Sequence, residues 1–581
     1  MKQHLPVVNP VRTLLIKRAS VSILAVAGFF LTSLSGWAQG VQHLSITQPG
    51  GMPGMPVMTG LQPSTNGITL TWDGPSGYYQ VLHKIHLTDP KWIALGGQTN
   101  LNRTVTITAL NSNDFFRVSG PGPQYAGVQA CAGCHQGIYN TQTNTPHAQA
   151  FVGLQQIHQD TNPACLPCHT AGYGLMTGFT NALQTPQLEN VQCENCHGPA
   201  GNHVANPEFP STVPRVELAA QVCGGCHSAQ LAPPEVVAHD PVAFSFEDWS
   251  ASPHSAVVPD VLQSMAASTN NISSCGRCHS GSAREALLEG ENPSVTVAND
   301  YDVAITCAVC HDPHQTYVWT NELNGIITFT NQLTGNVSDI TNNELGAVYT
   351  NQLRNPYAST NDFVLTTSEV FSNADNPNIN VCAQCHNDRG SAWTDTSRSP
   401  HHSPQYNMLL GTVGQLATGP SPGYPSTHSQ LEMQCAECHM QTATNNASGH
   451  TFQVATYQLC YRCHSDPAGL VQFVASDISN QIQQTAALLD MWATNDAPAV
   501  LRTNYGTLAW EYTTPGDLST NGPVPNGPNT AQQSLISTNI MQARFDLYLV
   551  LYDGSYGVHN GPYDIELLQS AQTWVEGQLY Q

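Results

Sequence analysis

Residues 131–151 read "CAGCHQGIYNTQTNTPHAQAF", and the first five letters form a C-x-x-C-H motif. This spacing is typical of c-type haem attachment. The two thiols add to the two vinyl groups of one haem, and the histidine that follows them ligates the iron. A second histidine, His147, lies twelve residues after His135. A haem with a second axial histidine transfers electrons, whereas a haem without one is open to substrate.

The same motif accounts for every cysteine of the chain. The eighteen cysteines form nine C-x-x-C pairs, and each pair is followed directly by histidine. Numbered 1 to 9 in chain order, the motifs are Cys131/Cys134/His135, Cys165/Cys168/His169, Cys193/Cys196/His197, Cys223/Cys226/His227, Cys275/Cys278/His279, Cys307/Cys310/His311, Cys382/Cys385/His386, Cys435/Cys438/His439 and Cys460/Cys463/His464. Zinc sites use such pairs two at a time and need no histidine after each one. Thioredoxin-like motifs do not recur nine times. The sequence therefore predicts nine covalently attached haem c groups.

The remaining histidines are candidates for the second axial position. After the nine motif histidines and the four that precede motif 1 are set aside, eleven of the 24 histidines remain, enough for every haem. Three follow a Ser-Pro or Thr-Pro pair, whose proline fixes the local backbone: His147, His254, and one of His401 and His402. The other candidates are His203, His314, His450, His559, His158 and His428, with His239 ranked below them.

Two further patterns bear on ligation. Met408 and Met440 are alternative axial ligands, although core packing is the more usual role of a methionine. Some multihaem reductases bind their catalytic haem through C-x-x-C-K, but no lysine occurs after Lys91, so that arrangement is absent.

The N-terminus predicts export. Lys17 and Arg18 precede the apolar stretch "ASVSILAVAGFFLTSLSGWA", as in a signal peptide ending at residue 38, and an uncleaved anchor is the alternative. No later stretch is long and apolar enough to span a bilayer. The net charge of −23 would become −27 after loss of the four cationic residues before the cut. Nucleic acid is therefore excluded as a partner, and a basic redox partner or a cationic surface is favoured.

Composition shifts divide the rest of the chain. Residues 39–66 are predicted as a linker, and residues 67–120, which alternate apolar and polar positions, as a small β domain. The nine-haem domain is predicted to cover 128–465 and to include a β insertion at 315–360, whereas 466–581 has helical periodicity. With about one haem per 37 residues, the haems themselves must form the core. We expect a mainly α and irregular multihaem core with an N-terminal β domain and a helical C-terminal region that packs on the haems.

Several phrases resemble a known family. "CAGCHQGIYNTQTNTPHAQAF", "CLPCHTAGYGLMTGF", "VQCENCHGPAGNHVANP", "ITCAVCHDPH" and "MQCAECHM" are similar to the multihaem cytochrome c554 family, which is related to the hydroxylamine oxidoreductase and octahaem reductase group. "DGSYGVHN" near the C-terminus is similar to a distal-histidine segment of pentahaem nitrite reductases. The resemblance implies mainly bis-histidine haems, stacked or perpendicular, in a mostly helical protein that transfers electrons in the periplasm or outside the cell.

Three functions remain open at this point. The favoured one is an electron carrier that works between other redox proteins or delivers electrons to a terminal acceptor. The second is an oxidoreductase for a small nitrogen or sulfur compound, such as nitrite, hydroxylamine or tetrathionate, at one open haem. Arg277 and Arg462 would then be the cationic candidates, although pairing with haem propionates is their more ordinary role. The third is a structural or filament-forming cytochrome. The sequence assigns neither a catalytic residue nor an oligomeric state.

Overall fold

The computed structural model describes six strands between residues 57 and 119, and then residues 124–579 with gaps. The gaps longer than three residues are 208–218, 235–243, 293–303, 321–325, 331–336, 342–347, 355–380, 442–448 and 520–525. The predicted signal peptide at 1–38 and the candidate ligand His239 lie outside the described residues. The chain divides into two compact units, Met1–Pro121 and Gly122–Gln581.

The first unit contains two antiparallel sheets of three strands each. The strands are β1 Val57–Ser64, β2 Gly67–Asp73, β3 Gln80–Lys84, β4 Ile93–Ala94, β5 Thr104–Ile107 and β6 Phe115–Ser119, in the orders β1-β2-β5 and β4-β3-β6. Ile68, Leu70 and Trp72 alternate along β2, so all three side chains point to one face. They are buried there with Val81 and Ile107.

Strand β1 corrects the predicted linker boundary. Val57–Ser64 lies within the stretch 39–66 that was predicted as a linker, and it pairs with β2 from Val57 opposite Asp73 to Ser64 opposite Gly67. The stretch contains Pro63, which argues against a central strand. However, β1 is at the edge of its sheet, where a proline is tolerated.

Short helices dominate the first part of the second unit. The α-helices are Val128–Ala132, Gln136–Gln142, Ala150–Gln156, Leu166–His169, Cys193–His197, Gly201–Ala205, Ala220–Gly224, Phe246–Ser250, Pro259–Ala267, Thr269–Ser274, Gly276–His279, Gly281–Leu288, Cys307–Cys310, Gln405–Leu410 and Cys435–His439. The 3-10 turns are Pro146–Gln149, Pro186–Leu188, Pro253–Ser255, Thr427–Gln430 and Leu459–Arg462. None of these helices exceeds nine residues, and helices this short depend on their packing partners for stability.

Two antiparallel strand pairs lie in the predicted insertion. Tyr317–Thr320 pairs with Val348–Asn351, and Ile326–Thr330 pairs with Val337–Thr341. A further two-residue pair joins Gln415–Leu416 to Gly419–Pro420.

Longer helices form the C-terminal region. They are Pro467–Asn495, Ala499–Tyr505, Thr530–Gln533, Thr538–Asp553 and Gly561–Glu576, with 3-10 turns at Gly506–Trp510 and Asp517–Ser519. Asp466 caps the first of them by accepting a hydrogen bond from the Gly469 amide. Apolar side chains from the three longest helices meet in one buried cluster, which also contains Met408. Met408 therefore packs in this core, and the alternative of an axial ligand is wrong for it. No helix in the described part of the chain is long and apolar enough to cross a membrane.

Candidate haem centres

Each C-x-x-C-H motif folds as a single helical turn. The histidine amide donates to the carbonyl of the first cysteine, for example from His135 to Cys131 at 2.9 Å and from His227 to Cys223 at 2.8 Å. Residues three apart share one face of such a turn, so the two thiols of a motif point the same way. All eighteen cysteines are free thiols and none forms a disulfide. The local fold therefore presents two thiols and an imidazole together, as one haem c requires.

A cavity of about 2170 Å³ runs through the second unit. Cysteines and histidines of motifs 2 to 9 line its wall, together with candidate axial histidines such as His147 and His254. The motifs therefore surround a large space whose wall is rich in cysteine and histidine side chains.

Eight motif histidines each face a second histidine from elsewhere in the chain. The pairs are His135/His203, His147/His227, His197/His314, His254/His386, His279/His401, His311/His450, His428/His464 and His439/His559, with ring centroids 6.0–6.5 Å apart. Two imidazoles on one metal, each bonded at about 2 Å, place their ring centroids about 6 Å apart. The observed spacing therefore fits an iron between the two rings of each pair, which the side chains would hold as its axial ligands.

The pairs include eight of the ten candidate distal histidines and leave out two. His402 stacks on Tyr552 at 3.7 Å between ring centroids, and its Nε2 lies 3.7 Å from a carboxylate oxygen of Asp517. His401, rather than His402, faces a motif histidine, since the two neighbouring side chains point in different directions. His158 is exposed at a turn with φ 55°, and it has no ring contact with a motif histidine among the described residues. Of the pair His401 and His402, of which one was expected to face a motif, it is His401 that does so, whereas His158 does not stand opposite a motif.

Motif 2 differs from the others. The Nδ1 atom of His169 lies 2.7 Å from the carbonyl oxygen of Ala150, which leaves Nε2 free to bind iron. Within the described ranges, no histidine ring faces His169 as a second ligand. The residues around motif 2 that line the cavity include Gly153, Leu154 and Ala164, none of which has a side chain that can ligate iron.

Hydrogen bonds at Nδ1 fix the orientation of several other rings. His439 and His428 bond the carbonyl oxygens of Phe452 and Val558, at 3.0 and 2.7 Å. His401 bonds the Ser403 hydroxyl at 3.0 Å. Such partners set the tautomer and direct Nε2 toward the metal.

One ring bonds a carboxylate instead. The Nδ1 atom of His559 lies 2.7 Å from Oδ1 of Asp553, whose side chain is fully buried. Burial lowers the pKa of His559, but the charge and the hydrogen bond of Asp553 together raise it by more.

Burial keeps other paired rings neutral. It lowers the pKa of His147 and of His254 to about 4, and the charge of the facing motif histidine adds to the effect in both cases. It also lowers the pKa of His401 to about 3, with nearby arginines contributing. Neutral imidazole is the form that ligates a metal, so these side chains are ready to bind iron at neutral pH.

Thiols of different motifs lie within the range of side-chain hydrogen bonding. The contacts join Cys131 to Cys193, Cys168 to Cys226, Cys223 to Cys307, Cys278 to Cys385 and Cys382 to Cys435. Longer-range electrostatic interactions join Cys196 to Cys226, Cys310 to Cys385, and Cys438 to Cys460. Neighbouring motifs in space are therefore often not consecutive in the chain, as motifs 1 and 3 and motifs 2 and 4 illustrate.

The two arginines that the sequence singled out differ in their surroundings. Arg462 donates to Glu437 at 2.8 Å and its side chain is 56% exposed. Burial lowers the pKa of Arg277. Neither arginine belongs to motif 2, so neither lies in the one motif whose histidine is unpaired among the described residues.

The segment that contains the first three motifs matches a known family. Residues 130–198 match the family "Cytochrome c554 and c-prime". The predicted resemblance to the cytochrome c554 family is thereby confirmed over this segment. Cytochromes c carry covalently bound haem c, so the predicted class of cofactor is confirmed as well. The number of haems and the identity of the distal ligands stay predictions.

Relatives of the cytochrome c554 segment cover only part of the chain. Cytochrome c-554 of Nitrosomonas europaea is 30% identical over 93 residues, which are 13% of this chain and 40% of that protein. The chain thus spans less than half the length of this curated relative. Two solved structures are similar at 16% identity: "Outer Cell Wall Cytochrome OcwA" has a TM-score of 0.46 and covers 78% of this chain and 99% of its own. The other is an undecaheme cytochrome from the S-layer of Carboxydothermus ferrireducens, with a TM-score of 0.44 and coverage of 79% and 70%.

Proposed function

We propose that the chain is an exported electron-transfer protein that holds nine c-type haems, eight of them between two histidines. The observation that carries the proposal is the set of eight facing histidine pairs, each with one motif histidine and a ring separation of 6.0–6.5 Å. A haem with two axial histidines supplies one-electron exchange and has no open iron position.

The contacts between thiols support a route by which electrons pass from haem to haem. They favour a line through motifs 1, 3, 4, 6, 7, 8 and 9, with motif 2 beside motif 4 and motif 5 beside motif 7. Thiols in contact would be bonded to different porphyrins, so their positions bring the edges of two cofactors close together. In this proposal the protein holds neighbouring haems at short distance and keeps eight of the nine irons six-coordinate.

The two ends of this line of haems lie at exposed residues, which favours electron exchange with partner proteins there. Cys134 of motif 1 is exposed, and Tyr461, within motif 9, is 55% exposed. The chain has 40 acidic and 17 basic residues. Charge complementarity speeds the encounter of redox proteins, so a partner with a basic docking face is favoured over an acidic one.

The test is a count of haems and of their spin states in purified holoprotein. Mass spectrometry and the pyridine haemochrome assay are expected to give nine haems per chain, and EPR is expected to give eight low-spin haems. Several high-spin haems would contradict the proposal, because they would mean that the histidine pairs do not ligate.

A second candidate function rests on motif 2. Since no described histidine faces His169, the haem of this motif is the candidate for an open iron that binds a small ligand, such as nitrite or hydroxylamine. Its place beside motif 4 would let the rest of the line supply electrons to it. This reading favours an oxidoreductase in which one haem binds substrate and eight deliver electrons.

EPR of the wild type and of His239→Ala separates the two readings. One high-spin haem in the wild type that responds to nitrite and persists unchanged in His239→Ala supports the open site. If all nine haems are low-spin in the wild type and one becomes high-spin in His239→Ala, then His239 closes the site and the carrier reading alone stands.

A further inference from the structure

The carboxylate of Asp553 is held in place against the axial histidine of motif 8. Asp553 is the last residue of helix Thr538–Asp553, and the chain turns back at Gly554, which has φ 70°. The Ser555 hydroxyl bonds Oδ2 of Asp553, and the His559 amide donates to that hydroxyl at 3.1 Å. The other oxygen, Oδ1, accepts from Nδ1 of His559 at 2.7 Å. The turn thus fixes both the carboxylate and the ring.

Five other histidines of the motifs and pairs have a neutral acceptor at Nδ1. Within the described part of the chain, the recorded acceptors are the carbonyl oxygens of Ala150, Phe452 and Val558, the Ser403 hydroxyl and the Gln405 amide oxygen.

The nearest comparison is His314, whose Nδ1 lies 3.7 Å from Oδ1 of Asp312, beyond hydrogen-bond distance. That carboxylate is also 3.6 Å from an Arg354 nitrogen, which offsets its charge. Within the described ranges, Asp553 forms no ion pair with an arginine.

The Asp553 carboxyl lies beside a second buried acid. Its side chain is fully buried, so water does not screen it. The neighbouring carboxyl of Asp564 is also buried, and burial raises the pKa of Asp564 well above its usual value.

A charged acceptor at Nδ1 changes the reduction potential of the metal ion that the imidazole binds. It makes the imidazole a stronger donor, and its charge stabilises the ferric state, which carries one more positive charge than the ferrous state. Both effects lower the reduction potential, and they act in the same direction.

We propose that Asp553 is a positioning residue that sets the haem of motif 8 at a lower reduction potential than the haems whose axial histidines bond neutral groups. The inference rests on the proposed function, in which His439 and His559 ligate this haem. In the line of haems, motif 8 lies between motifs 7 and 9. A low potential there is an uphill step for electrons that pass between motif 9 and the remaining haems.

The decisive variant is Asp553→Asn, which keeps the shape and an acceptor oxygen but removes the charge. In a spectroelectrochemical titration of holoprotein, one of the nine one-electron components is expected to move to higher potential while the other eight stay in place. The EPR signal of one low-spin haem is expected to change with it. Asp553→Glu, which restores the charge, is expected to bring the component back toward its wild-type potential.

Two control variants separate tuning from general effects. Asp517→Asn removes the same charge beside His402, which faces no motif histidine, and is expected to leave all nine components in place. Ser403→Ala removes a neutral Nδ1 partner from His401 and is expected to shift its component less than Asp553→Asn shifts motif 8. The inference is overturned if Asp553→Asn carries all nine haems and its nine reduction potentials equal those of the wild type. It is also overturned if Asp517→Asn shifts one potential by the same amount as Asp553→Asn.

His559→Ala tests the ligation beneath the inference. If it creates one high-spin haem, motif 8 is ligated as proposed, and the result for Asp553→Asn bears on tuning alone. If the spin states do not change, the assignment of His559 as a ligand fails, and the inference is overturned with it.

Discussion

His147 and His227 face each other with their ring centroids 6.2 Å apart, although they belong to segments 80 residues apart in the chain. His147 comes shortly after motif 1, whereas His227 completes motif 4. The amide of Val191, just before motif 3, donates to the His147 carbonyl at 3.0 Å. The segment around His147 thus follows motif 1, contacts motif 4 and is hydrogen-bonded next to motif 3.

Loss of this contact has a spectroscopic consequence. In His147→Ala, the haem of motif 4 is expected to lose its second ligand and to change from low-spin to high-spin, while the haem count stays the same. EPR and resonance Raman of holoprotein measure the change. His158→Ala is the matched control, because His158 is exposed. This variant is expected to leave the spin state of every haem unchanged. An unchanged spectrum in His147→Ala would mean that another residue binds the iron of motif 4.

The open-site reading makes a prediction about the cysteines of motif 2. The double variant Cys165→Ala/Cys168→Ala is expected to carry eight haems and to lose the binding of carbon monoxide by the reduced protein. The double variant Cys460→Ala/Cys463→Ala also removes one haem, but it is expected to retain that binding. Mass spectrometry gives the haem count and difference spectroscopy gives the binding. Equal carbon monoxide binding by both variants would place the open iron elsewhere.

The C-terminal helices predict a large effect of core truncation. Leu568 on helix Gly561–Glu576 is fully buried in the apolar cluster, so Leu568→Ala is expected to lower the free energy of unfolding by about 2–5 kcal/mol. Leu535 is 43% exposed, and Leu535→Ala is expected to cost less than about 1 kcal/mol. Denaturant unfolding of holoprotein, followed by far-ultraviolet circular dichroism, compares the two. Similar losses in both would indicate that this cluster does not limit stability.

A buried acid predicts a pH dependence of stability. Asp546 is fully buried, and burial raises its pKa well above the value of 3.8 that an aspartate has in an unfolded chain, although the Gln415 amide donates to Oδ1 at 2.9 Å. Above pH 3.8 the unfolded chain releases this proton while the folded chain retains it. The contribution of Asp546 to stability is therefore greatest below its unfolded pKa, and it falls as the pH rises toward the folded value.

The variant Asp546→Asn removes that fall while keeping an acceptor for the Gln415 amide. The stability of the variant relative to the wild type is expected to increase from pH 4 to pH 8, as measured by urea midpoints. Asp517→Asn, at a side chain that is 66% exposed, is expected to show no such trend. A constant difference between Asp546→Asn and the wild type across this range would contradict the prediction.

The nine motifs could be predicted from sequence because their chemistry is local. Two thiols and an imidazole must lie within one helical turn, so the five residues stay together in the chain, as in Cys193–His197. The facing histidines could be proposed as a set but not paired. His197 meets His314 across more than 100 residues, and no local pattern specifies such a partner.

Other features depended on context that a short pattern does not contain. His401 and His402 follow the same Ser-Pro pair, and only the packing of His402 on Tyr552 separates their roles. The edge strand Val57–Ser64 lies in a stretch rich in glycine, proline and methionine, where strand propensity is low. Its pairing with Gly67–Asp73, a tertiary contact, overrides that local preference.

The pairing of His439 with His559 has a consequence for biogenesis. A chain that is made from its N-terminus presents the cysteines of motif 8 more than 100 residues before the histidine that faces them. The same delay applies to motifs 3 and 5, which wait for His314 and His401. Freshly attached haems would therefore remain five-coordinate during export, and the last turn before helix Gly561–Glu576 would complete the set. Maturation, like electron flow, would then depend on residues far from the attachment sites.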